Sequence, residues 1–309
     1  MRRAFIEALT AAAKSDPKIV LMTGDLGFMA LEPFIEAHPD RFFNAGVAEQ
    51  NMIGVATGLA EAGWKPYCYS IVTFATLRPY EFIRNGPILH RLPVRIVGVG
   101  GGMEYGHNGL SHFGLEDVAI MRTQPEITVI CPADAAQAKA AALATTNLSG
   151  PIYFRLGKDD RAIVEGLDGR FTLGEIEVIG GGMDVLLVTM GAIAKEGITA
   201  SRLLQSSDVA ATVAVVSTMR PSHGLEELLN KHRNVVTIES HYTNGGLGSM
   251  VCEVVAERGL DCKVKRCGVE RSPIGLTGSQ AFLEDWAGIS GQKIAAAALG
   301  SLQIASVPS

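Results

Sequence analysis

The strongest constraint on the fold is a rhythm of short β-branched runs, such as IVLMT at 19–23, VRIVGV at 94–99 and IYFR at 152–155, each next to a stretch of helical spacing. Runs without alternating polar residues predict strands buried on both faces, and hence a parallel sheet with helices above and below it. In the first half the pattern predicts strands at 19–23, 42–44, 66–71, 94–99, 127–131 and 152–155. The predicted helices lie at 3–14, 31–37, 48–61, 80–90, 115–121 and 134–146. Charge and glycine interrupt this rhythm over 157–183, where TLGEIEVI is only weakly hairpin-like. It resumes with strands at 185–189, 211–217, 235–239 and 263–267 and helices at 194–204, 225–231, 247–257 and 292–299. The expectation is an α/β protein of two domains, each a mostly parallel sheet covered by helices, over 1–160 and 184–309 with a linker at 161–183. In such sheets ligands gather beyond the carboxyl ends of the strands.

Composition narrows the function. A chain of 309 residues that is 47% hydrophobic and only 19% charged has material for two buried cores. A net charge of −5 with no Lys/Arg cluster argues against nucleic acid or an anionic membrane surface as partner. The five cysteines are odd in number, scattered and without C-x-x-C spacing, which points away from a disulfide framework and from a zinc site. The longest apolar runs are strand-length and the opening MRRAFIEALTAAA has no signal-like core, so no membrane segment is expected and the expected location is cytoplasmic.

The chemistry concentrates at 42–63, FFNAGVAEQNMIGVATGLAEAG, where a strand turns at Gly46 into a helix opened by Glu49. Small residues dominate that helix, so another backbone can approach closely and the carboxylate at its head is partly desolvated. An acid serving the helix dipole is the competing reading. GVAEQNM, the small-residue helix and the following KPYCYSIVTFATLRPYEFIR together resemble the pyrimidine-binding domain of the transketolase family, whose members use thiamine diphosphate. The resemblance implies that Glu49 is the catalytic acid, hydrogen-bonded to a ring nitrogen of the aminopyrimidine so that the cofactor can be activated. It also implies an aromatic ring stacked on that pyrimidine. Phe74 is the candidate, with Ile71 the alternative one register away, and a plain core phenylalanine is the competing reading.

The loop GHNGLSHFG resembles the family stretch G-x-D-G-P-T-H-Q, which makes His112 the second catalytic residue, an imidazole placed to serve the substrate oxygens. Asn108 stands where the family has an aspartate, keeping hydrogen-bonding capacity without the charge. His107 has no counterpart and is carried as a further substrate contact. Arg155, in PIYFRLGKDD, maps onto a family arginine that grips the sugar phosphate, and Arg2 onto another. The competing reading of Arg155 is an ion pair with Asp159 or Asp160. Met29 occupies the place of a phosphate-binding serine. The glycine clusters at 98–106 and 245–250 lack the order of a phosphate loop and read as turns.

ESHYTNGGLGSMV extends the resemblance into the transketolase C-terminal domain, so it spans nearly the whole chain. The family's metal motif, G-D-G followed by asparagine, is missing; only Gly24-Asp25-Leu26 is present, and no metal ligand is assigned here. The chain also starts directly at the pyrimidine domain. It is therefore expected to be the C-terminal subunit of a split transketolase, moving a two-carbon ketol unit from a ketose phosphate to an aldose. Mg²⁺ and the diphosphate would be held mainly by an N-terminal transketolase subunit, in an assembly with two copies of each chain. The small-residue helix and GGLGS are the expected interface surfaces. Alternatives within enzymes are the beta subunit of the first component of a 2-oxo acid dehydrogenase and half of a deoxyxylulose-phosphate synthase. A non-catalytic regulatory paralogue is the alternative of another class, against which Glu49 and His112 argue.

Overall fold

The computed structural model describes residues 1–305. The first half contributes strands β1 (Ile19–Thr23), β2 (Phe42–Asn44), β3 (Lys65–Ile71), β4 (Arg95–Val99), β5 (Thr128–Ile130) and β6 (Ile152–Leu156). The second contributes β7 (Glu177–Gly180), β8 (Val185–Thr189), β9 (Ala211–Val215), β10 (Thr218–Arg220), β11 (Asn234–Tyr242) and β12 (Lys263–Val269). They form a seven-stranded sheet in the order β10-β5-β6-β4-β3-β1-β2 and a five-stranded sheet in the order β12-β11-β8-β9-β7. Both are parallel except at one edge, where β10 runs against β5 and β7 against β9. The expected α/β, helix-covered architecture is what the chain adopts.

Period-two alternation explains how the strands serve two faces. Leu21, Tyr67, Val97 and Phe154 point toward the Arg2–Ser15 helix, where the Phe5 ring meets Phe154 edge-on at 5.0 Å and Tyr67 at 6.3 Å. Their neighbours Met22, Cys68 and Ile96 point the other way, toward Met52, Ile53 and Ala56 of the Glu49–Glu61 helix. This second core does not stop at the first sheet. It continues through Val129 and Cys131 into Leu186, Val188, Ala214 and Val216, so the two halves share buried apolar contacts.

Four expectations change. The linker region 161–183 holds β7, which pairs Glu177 with Val215 and so belongs to the second sheet. Conversely, β10 leaves the second half to extend the first sheet, Thr218 opposite Ile130. The helix predicted over 80–90 is a turn at Tyr80–Ile83 followed by a wider π turn at Arg84–Ile88, where Leu89 N donates to Arg84 O at 3.1 Å around Pro87, which has no N–H to give. Finally, GGLGS is not an outer surface: it opens the Leu247–Arg258 helix, and the Leu247 and Gly248 N–H groups donate at 2.8 and 2.9 Å to the buried Glu239 of β11. Positions 306–309 of the predicted second domain lie outside the described residues. Among the described residues no helix is long and apolar enough to cross a membrane.

Candidate active site

Three strand ends converge on Glu49. The chain leaves β2, turns at Gly46 (φ 71°) and starts the Glu49–Glu61 helix with no side-chain cap on Ala48, so the first side chain of the helix enters the gap above β1 and β3. The Glu49 side chain is 2% exposed. Ser70, one residue from the end of β3 and on the same face as Cys68, brings its Oγ to 3.2 Å from Glu49 Oε1. Gly24, just past β1, lets the carboxylate come close: a Cβ at that position would lie 3.0 Å from Oε1, a tight contact. Arg78 Nη1 donates to the other oxygen, Oε2, at 3.1 Å. A cleft of about 680 Å³ reaches the carboxylate between Val47, Gln50, Asn51, Arg78 and Phe82.

Phe74 lies on the short Val72–Thr76 helix that follows β3 directly. The Arg78 guanidinium carbon stands 4.1 Å above its ring centroid, and the His112 ring meets it edge-on at 5.1 Å and 69°. Tyr105 lies 6.1 Å beyond His112 and carries the Lys158 ammonium 4.5 Å over its own ring. Ser111 Oγ is 3.0 Å from His112 Nδ1. Partial burial, and secondarily the Arg78 charge, push the His112 pKa below 6.5, which favours the neutral ring. Glu49, Phe74 and His112 are thus gathered around one guanidinium that the sequence reading did not single out. Its signal was available: Arg78 is the only charged residue between Lys65 and Glu81.

The other named residues are placed differently. Ile71 ends β3 and caps the helix that carries Phe74, half-buried. His107 and Asn108 are exposed on the one-turn segment Gly106–Asn108, which is tied to the second half by Gly278 N donating to Gly106 O at 3.1 Å. Met29 (φ 63°) and Phe28 are exposed at the tip of the loop after β1. Arg2 pairs with Asp160 at 3.4 Å and couples to Tyr69, whose side chain leaves β3 on the face opposite Ser70.

Arg155 is the clear correction. Its side chain is 5% exposed, its Nε donates to Asp117 Oδ2 at 2.8 Å, and its Nη2 donates to Gly114 O and Ser240 O, each at 2.9 Å. Tyr153 OH donates to the same Asp117 oxygen at 2.6 Å. Burial is the largest single influence and opposes the guanidinium charge, but Asp117, Cys131 and Tyr153 together outweigh it and the pKa is raised. A Cβ on Gly101 would come within 2.6 Å of Arg155 Cζ, which is why this loop needs glycine. The guanidinium braces the base of the His112 loop against β11, and its partner is Asp117, not Asp159 or Asp160.

Among the described residues no cluster of three or more His, Cys, Asp or Glu could hold a metal ion. The groups that are present suit the pyrimidine end of a cofactor. A buried carboxylate and an aromatic face already accept a planar, N–H-bearing guanidinium, and an aminopyrimidine offers the same kind of edge and face.

The description "Transketolase, pyrimidine binding domain" matches residues 1–162 and "Transketolase, C-terminal domain" matches 174–294. A Methanocaldococcus jannaschii protein described as a transketolase C-terminal section is 35% identical over 299 residues, covering 96% of this chain and 94% of its own. A 6-deoxy-6-sulfo-D-fructose transketolase subunit of Clostridium sp. is 33% identical over 303 residues, covering 96% of this chain and 93% of its own. A solved structure described as a split gene transketolase, inactive beta4 tetramer, superposes with a TM-score of 0.86 at 34% identity, covering 98% of this chain and 97% of the other. With both domain matches in sequence order on the two observed sheets, the chain belongs to the transketolase family.

Proposed function

We propose that this chain is the C-terminal subunit of a split transketolase, transferring a two-carbon ketol unit between phosphosugars with thiamine diphosphate. The observation that carries this reading is the buried Glu49 carboxylate at the carboxyl edge of the first sheet, open to a cleft and flanked by Phe74 and His112. Relatives that match from end to end, one a C-terminal section and one a split-gene structure, support the division into subunits.

When bound, thiamine diphosphate supplies a carbon nucleophile that also accepts the electron pair released as the ketol unit is cleaved. Glu49 would hold a proton at a pyrimidine ring nitrogen, with Ser70 fixing the carboxylate's orientation. Phe74 would give the ring a face, backed by Ile71. His112, whose pKa burial lowers, would donate to the substrate oxygen that gains charge and move a proton there. His107 and Asn108, exposed on the same loop, are the proposed contacts to donor hydroxyls, and Arg2 remains the proposed contact to an anionic end. Arg155 is better assigned to holding the loop. Mg²⁺ and the diphosphate belong, in this reading, to an N-terminal partner subunit in a cytoplasmic assembly with two copies of each chain.

The test is reconstitution. The purified chain should bind thiamine diphosphate with Mg²⁺ only weakly and turn over no ketose phosphate, and adding an amino-terminal transketolase section should restore both. Tight, magnesium-dependent binding by the chain alone, measured by calorimetric titration, would overturn the split-enzyme reading.

A further inference from the structure

We propose that Arg78 is an internal stand-in for the aminopyrimidine, occupying both Glu49 and Phe74 until the cofactor displaces it. The inference rests on the reading of Glu49 and Phe74 as the pair that holds the pyrimidine. It starts from one side chain satisfying two unlike groups. Arg78 Nη1 donates to Glu49 Oε2 at 3.1 Å while its guanidinium carbon stands 4.1 Å above the Phe74 ring. That height is stacking contact, and no second planar group fits between the two.

A guanidinium resembles an aminopyrimidine in the two respects the site can sense: it is planar, and it presents N–H groups along one edge. The carboxylate accepts such an edge and the phenyl ring accepts such a face. The two occupants therefore exclude one another at this position. Displacement is feasible because the Arg78 side chain is 46% exposed whereas Glu49 is 2% exposed, so the arginine can swing into the cleft that it lines. Its backbone need not move: Leu77 N is bonded to Thr73 O at 3.0 Å, and Pro79 follows with a fixed φ. While in place, Arg78 compensates a carboxylate that would otherwise be a buried, unpaired charge.

A partly exposed ion pair combined with a cation–π contact should hold the closed arrangement over the open one by about tenfold, and apparent cofactor affinity is reduced by the same factor. The affinity test uses the chain assembled with its amino-terminal partner and titrated with thiamine diphosphate and Mg²⁺. Arg78→Gln should tighten binding about tenfold, and Arg78→Lys, which keeps the charge but loses the planar edge, should tighten it by less. A second readout needs no cofactor. In the isolated chain, NMR titration of His112 should show its pKa rising toward 6.5 in Arg78→Gln, since the neighbouring cation is gone. In the wild-type assembly the same rise should accompany cofactor loading, and it should be absent from the variant. Unchanged or weaker binding in Arg78→Gln would overturn the proposal, marking Arg78 as a bystander or a cofactor ligand. Absence of binding by the wild-type assembly would instead defeat the functional reading, and this proposal with it.

Discussion

The cleft at Glu49 and the junction at Asp117 contain the same pair of groups, a buried carboxylate with an arginine on it, in different settings. At the junction both partners are sealed, Arg155 at 5% and Asp117 at 1% exposure, with Tyr153 and two backbone carbonyls completing the set. At the cleft only the carboxylate is sealed and the arginine is 46% exposed. Exposure of the cation decides what such a pair can do. A sealed arginine cannot leave without stranding a charge, so it joins structure to structure, whereas a half-exposed one can be exchanged for a ligand.

Four substitutions probe that contrast. The largest effect is expected at Glu49, where Glu49→Gln in the assembled enzyme should slow exchange of the thiazolium C2 proton by roughly two to four orders of magnitude while leaving the melting temperature nearly unchanged. Near-normal exchange, followed by NMR, would remove Glu49 from the chemistry and leave the cleft pair as structural as the junction pair.

Next comes Arg155→Met, which leaves Asp117 buried without its cation and should cost about 3–5 kcal/mol of folding stability. Adding Asp117→Asn should recover part of that loss, because the two sites share one interaction. Denaturant unfolding measures both. Any loss of activity should be equal for phosphorylated and non-phosphorylated donors, and a selective rise in KM for phosphorylated ones would return Arg155 to the phosphate. Arg78→Gln, by comparison, should change stability by only about 0–1 kcal/mol.

The smallest effect concerns His112, whose folded pKa is depressed by burial and then by Arg78. A histidine with a lowered folded pKa favours the native state at high pH, so its contribution is lost as pH falls from 6.5 through the folded value. Raising ionic strength to about 1 M should screen Arg78 and move the His112 pKa back toward 6.5, an NMR-visible shift. No salt dependence would mean that burial alone sets it.

Much of the fold was legible because both sheets are built from runs whose neighbouring residues are all buried, and such runs announce themselves locally. The β1, β4, β6 and β8 strands are of this kind. The Val72–Thr76 helix falls between the strand predicted to end at 71 and the helix predicted to begin at 80, and the Pro87 turn was not legible. Nor were β7 and β10, short edge strands with sheet assignments set by partners distant in sequence.

At the site, the sequence by itself determined the chemical types, an acid at a helix start, a phenylalanine and a loop histidine, because motif spacing constrains which residue follows which strand end. Only the tertiary structure decided what each arginine does. Arg78 and Arg155 are both arginines near strand ends, and nothing local distinguishes them. Asp117 comes from a helix 38 positions before Arg155 and Ser240 from the other half of the chain, whereas Glu49 precedes Arg78 by 29 positions. Which carboxylate a long, flexible cation finds, and whether water still reaches it there, is settled by packing between segments far apart in the chain.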